Sequence, residues 1–284
     1  MPREFHGGKI MIIQHNMTAA NTSRQLGITT SNLQKSSEKL SSGYRINRAG
    51  DDAAGLSISE KMRGQIRGLE QASTNAQDGI SLIQTAEGAL NEVHAIIQRQ
   101  RELVVQAAND TNVSTDRAAI QQELNQLNSE IDRIASQTEF NTMKLLDGTF
   151  ESDALNFQVG ANSNQNISVT IASMSTEGLE IDAWDIQTAS YDDITAKIDT
   201  MDGALNKVSE QRSALGAVQN RLEHTIANAD NTAENLQAAE SRIRDVDMAD
   251  EMVGYSKDSI LQQAAQSMLA QANQSTQGVL SLLQ

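Results

Sequence analysis

The sequence predicts a mainly α fold: long antiparallel helices in coiled-coil-like rods, with one small β-hairpin element. Two apolar ladders and one break in their pattern predict it. Ile194, Met201, Val208, Leu215, Leu222, Ala229, Leu236 and Ile243 stand seven apart, and Met62, Leu69, Ala76, Ile83, Leu90, Ile97 and Val104 repeat that spacing upstream. A seven-residue apolar repeat held this long implies helices packed lengthwise, each roughly 60–75 Å long at about 1.5 Å per residue. Pro2 is the single proline, so nothing after it breaks a helix by removing a backbone donor.

Residues 1–10 share no periodicity with the rest of the chain and read as a leader or upstream start, expected to be disordered. A helix is expected over about 16–48, where Leu26, Leu33 and Leu40 repeat the seven-residue step. Gly43, Gly50 and Gly55 mark a looser connection. The first ladder runs over about 57–108, and Ser114 opens a helix in which Ile120, Leu124, Leu127, Ile131 and Ile134 step by four and three. The pattern changes at about 141–189. Leu155, Phe157 and Val159 alternate, as do Ile167, Val169 and Ile171, around a polar Gly/Asn turn, which signals a hairpin. The second ladder occupies about 191–244 and a terminal helix about 256–283. The chain thus divides into paired terminal helices at 11–50 and 245–284, and a helical rod at 51–244.

Aromatic residues are 3% of the chain, so the core must be aliphatic and Ala-rich. There is no cysteine, which excludes disulfides and thiolate sites. Net charge is −15, and residues 1–60 carry seven Lys/Arg against five Asp/Glu while residues 259–284 carry no charge. The middle is therefore strongly acidic, which argues against nucleic-acid binding and against an anionic membrane. No run of about 18 apolar residues exists for membrane insertion. No cleavable secretory signal is visible at the start.

The uncharged terminal helix is unusual. Leu261, Met268 and Leu282 share one heptad track, and Ala265, Ala272 and Val279 the next. Its remaining faces are Gln, Ser, Asn and Ala, which suits contact with protein on every side. A helix buried only on subunit assembly fits this better than a monomer core, and a contact that does not close into a ring gives an open filament.

SSGYRINRAGDDAAGLSISEKMRGQIRGLEQASTNAQDGISLIQTAEGAL, from Ser41 to Leu90, resembles the N-terminal region of bacterial flagellins. SRIRDVDMADEMVGYSKDSILQQAAQSMLAQANQSTQGVLSLLQ, from Ser241, resembles their C-terminus, and MIIQHN at Met11 their start. The resemblance implies a short flagellin without large outer domains, self-assembling into the flagellar filament for motility. It implies a secreted, extracellular subunit using flagellar type III export, with an export chaperone at the C-terminal helix and hook-associated and cap proteins as further partners. In that picture Leu26, Leu33, Leu40, Leu261, Ala265, Met268, Ala272, Val279 and Leu282 pack the filament core, and Gly43, Gly50 and Gly55 form a hinge. The terminal segments would fold as they join the filament, since small uncharged side chains offset little ordering entropy alone.

Residues Gln98 to Gln106 resemble the family's stretch read by the flagellin-sensing Toll-like receptor, which implies Arg99, Leu103 and Glu123 as contacts. Arg99 and Leu103 lie off the ladder track of Val104, consistent with a surface position. No enzyme, cofactor or metal is implied: His6, His15, His94 and His224 are scattered and belong to no HExxH motif. Two rival readings stand beside this one, a hook–filament junction protein and a cytoplasmic signalling coiled coil. The β-like segment counts against the second.

Overall fold

The computed structural model describes residues 16–182 and 184–282, with side chains as far as Ser275. The expected leader at 1–10 and the side chains of Val279 and Leu282 lie outside the described residues. Among the described residues, six helices and four short strands succeed one another: α1 Met17–Ser42, α2 Ala53–Ala107, α3 Ser114–Gln137, β1 Glu139–Phe140, β2 Met143–Lys144, α4 Thr149–Ser152, β3 Leu155–Gln158, β4 Asn166–Val169, α5 Tyr191–Arg244 and α6 Met248–Leu282. The described residues divide into two compact units: one combines those up to Arg63 with those from Gln237 onward, and the other is Gly64–Leu236.

In the first unit, Asn16 caps α1 by accepting the Ala19 N–H at 3.0 Å. That satisfies one of the donors a helix start leaves unpaired. The helix ends at Ser42, earlier than the expected 48, because Gly43 turns to φ 76° and donates to the Lys39 carbonyl at 2.8 Å. Glycine enters that left-handed cap without a Cβ penalty. At the other end α6 starts at Met248, ahead of the expected 256. Asp247 accepts the N–H groups of Ala249 at 2.9 Å and Asp250 at 3.3 Å, and Asp250 and Glu251 add acidic charge to the first turn. α1 and α6 run antiparallel, as three contacts between them show: Asn16 with Ala272, Thr30 with Gln262, and Lys39 with Glu251.

In the second unit the ladders become the core. Ile83, Leu90, Ile97 and Val104 of α2 and Ile194, Met201, Val208, Leu215 and Leu222 of α5 are buried with Ile120, Leu124 and Ile131 of α3. Full burial of each such side chain stabilises by about 1.5–3 kcal/mol. Glu87 pairs with Arg212 at 3.6 Å and Arg101 with Asp202 at 2.6 Å, so α2 and α5 are antiparallel here.

The predicted hairpin is β3 against β4, antiparallel, with Leu155 opposite Val169 and Phe157 opposite Ile167. It lies against α2, where glycines make room. A Cβ at Gly68 would stand 2.8 Å from the Ala161 Cβ, and one at Gly79 would stand 3.1 Å from the Phe157 ring. A second pair, β1 with β2, goes beyond the single hairpin that alternation predicts. Asn141 and Thr142 both adopt positive φ between its strands, as a tight type I′ turn requires. The irregular stretch before α5 is fastened to α3 by side chains. Asp132 accepts the Thr176 N–H at 2.9 Å, and Gln121 bonds Trp184 and Ile186 backbone at 2.7 and 2.8 Å.

Candidate assembly and recognition surfaces

The seam between α1 and α6 mixes small and polar side chains with leucines. Thr29 and Ser36 are buried on α1, while Leu26, Leu33, Leu40, Ala265 and Ala272 are half-buried. Several large apolar residues of α6 are exposed: Val253 70%, Ile260 67%, Met268 62% and Leu261 44%. Leu261 and Met268 are therefore not part of the packed seam within the subunit, and the neighbouring alanine track takes that place. The Asn16 side-chain amide donates to the Ala272 carbonyl on that track at 3.0 Å.

Nor is the connection after α1 a free linker. The Arg45 N–H donates to the Arg244 carbonyl at 2.7 Å, and the Val246 N–H to the Gly43 carbonyl at 3.1 Å. The Arg244 guanidinium lies 4.6 Å from the Tyr44 ring centre and pairs with Glu60 at 3.0 Å. Asp51 accepts the N–H groups of Asn47 and Arg48 at 3.2 and 2.9 Å, which holds its carboxyl below the ordinary range. Ile46 is buried beneath. Of the three expected hinge glycines, Gly43 is a helix cap and Gly50 stands in open space. Gly55 is already inside α2, where a Cβ would press on Asp52 and stand 2.8 Å from Ile46 Cδ1.

On the second unit, Arg99 and Glu123 meet across α2 and α3, with Nη2–Oε1 at 2.9 Å and Nε–Oε1 at 3.1 Å. Glu102 joins Arg99 at 3.1 Å, and the two carboxylates, Glu123 foremost, raise the Arg99 pKa further. This is an exposed charged patch. Leu103 is not part of it: the residue is 2% exposed and belongs to the core. The expectation that it lies on the surface fails because α2 is flanked by α3 at Gln100–Asn128 and by α5 at Arg101–Asp202. Two neighbours widen the buried stripe beyond a single heptad track.

Among the described residues no three His, Asp or Glu side chains come together as metal ligands do, and no helix is long and apolar enough to cross a membrane.

Residues 13–151 match the bacterial flagellin N-terminal helical region, and residues 198–283 the C-terminal helical region. A flagellin of Halalkalibacterium halodurans is 58% identical over 96% of this chain and all of its own length. The chain belongs to the bacterial flagellin family. A flagellin of Bacillus subtilis is 55% identical with the same coverage. Among solved structures, a putative flagellar hook-associated protein from Vibrio parahaemolyticus superposes with a TM-score of 0.59 at 15% identity, covering 69% of this chain and all of that one, which speaks for the fold alone. As a short flagellin without a large outer domain, this chain is a structural subunit that polymerises into the flagellar filament and serves motility. Among the described residues, the stretch between the two matched regions holds β3, β4, the irregular run before α5 and the first turns of α5.

Proposed function

We propose that the outward apolar faces of α1 and α6 are the surfaces through which copies of this flagellin join, burying them in the filament core. One observation carries the reading. Within the subunit Thr29 and Ser36 are buried on α1, while Val253, Ile260, Leu261 and Met268 of α6 remain exposed. Exposed apolar area of that extent is costly in water and is recovered when another protein surface covers it. The double substitution of Val253→Asp and Ile260→Asp tests it. Seeded elongation is expected to stop while helical content is kept; elongation at the parent rate would refute the reading.

The subunit acts outside the cell, leaving by the flagellar export route. α6 serves as the docking helix for an export chaperone before assembly, and hook-associated and cap proteins meet the same terminal helices at the filament ends. The Arg99–Glu123 patch is the part read by the host flagellin-sensing Toll-like receptor, with Leu103 supporting it from beneath. A receptor reporter assay comparing the parent with Arg99→Ala and Glu123→Ala checks this. Equal signalling from all three would remove the patch as the recognition site.

A further inference from the structure

We propose that Met17, Met248, Met252 and Met268 form an oxidation-sensitive site at which a hydroperoxide turns free subunits into assembly-incompetent ones. The inference rests on the reading that the outer faces of α1 and α6 are covered by other copies. Four thioethers stand on those two helices and are open to solvent: Met17 is 71% exposed, Met248 48%, Met252 50% and Met268 62%. By contrast, Met174 and Met201 are buried in the core of the second unit. The chain has no cysteine, so no thiol competes for the oxidant. Susceptibility to two-electron oxidants follows exposure, and these four are the accessible sulfurs of the terminal helices among the described residues.

The step balances with the peroxide alone. The O–O bond breaks, one oxygen passes to the thioether sulfur as a new S–O bond, and the sulfur is oxidised by two electrons. Hydrogen peroxide is reduced to water. A flexible apolar side chain becomes a polar one with a strong acceptor and no donor of its own. Covering that group with the apolar face of another copy leaves the acceptor unpaired, and burial of an unpaired polar group is unfavourable. Assembly reverses the relation, because sulfurs already covered by neighbours are out of reach. Oxidation would thus select against subunits that have not yet joined a filament.

The test treats free subunits with hydrogen peroxide until mass spectrometry shows sulfoxide at the four positions, then seeds them with filament fragments. Elongation is expected to slow by about tenfold or more, and reduction by a thiol-dependent methionine sulfoxide reductase is expected to restore it. The quadruple Met→Leu variant is expected to elongate equally well with and without peroxide. Oxidised parent subunits that elongate at the untreated rate, or slowing that the reductase does not reverse, would overturn the proposal. Intact filaments given the same dose are expected to acquire little sulfoxide at these positions. Equal oxidation of filaments and subunits would instead show that the faces are not covered, and so refute the assembly reading itself.

Discussion

The Asn16 side-chain amide donates to the backbone carbonyl of Ala272 at 3.0 Å, joining residues 256 positions apart. The same side chain uses its oxygen to cap α1 at the Ala19 N–H. One residue thus starts a helix and fixes the distance to its partner. Asn16→Ala is expected to destabilise the start of α1 by about 0.5–2 kcal/mol, the usual worth of a cap. Faster amide exchange at Ala19 and Ala20 is the measurement. Unchanged exchange there would show that the cap contributes nothing.

Glycines on α2 separate two effects. At Gly88 an added Cβ meets nothing within 4 Å, so Gly88→Ala is expected to raise stability by about 0.5–1 kcal/mol through helix propensity. At Gly68 the Cβ would stand 2.8 Å from the Ala161 Cβ and 3.2 Å from its Cα. Overpacking of that kind costs about 1–3 kcal/mol and outweighs the propensity gain. Gly68→Ala is therefore expected to lower the denaturation midpoint while Gly88→Ala raises it.

Leu103 and Arg99 should separate stability from recognition. Leu103→Ala removes a buried core side chain and is expected to destabilise the second unit by about 2–5 kcal/mol. Arg99→Ala leaves the core intact and is expected to keep the parent melting midpoint. Denaturation of both variants decides whether a loss of receptor signalling at Leu103 reflects contact or unfolding.

Acid should loosen particular places. Backbone N–H donors from Arg48 and Asn47 hold the Asp51 carboxyl below its ordinary value of 3.8, and Arg133 holds Glu130 below 4.5. For both, the folded value lies beneath the unfolded one. Their contribution is complete above the ordinary value, shrinks as pH falls through it, and is gone below the folded value. Amide exchange at Asn47 and Arg48, relative to its intrinsic rate, is expected to accelerate as pH falls below the ordinary carboxylate value. In Asp51→Asn it is expected to be fast already at neutral pH.

The long helices were legible because one seven-residue repeat sets both their length and their buried face: α5 begins at Tyr191 and ends at Arg244, where the ladder does. β3 and β4 were legible from alternation around the Gly/Asn turn. β1 and β2 were not, since two-residue strands carry no period, and the signal was only the Asn141–Thr142 pair at positive φ. Periodicity misassigned Leu103, because a single track describes a helix with one neighbour and α2 has two. The early start of α6 was readable after all in Asp247, Asp250 and Glu251, a cap followed by first-turn acids.

Amide hydrogen exchange along α1 and α6, measured in isolated subunits and in assembled filaments, tests most directly whether sister copies complete these helices. Much stronger protection is expected in the filament at Ile28, Val253, Ile260 and Met268, with little change at Ile97 and Leu215 of the second unit's core. Equal protection of α1 and α6 in both states would contradict the account.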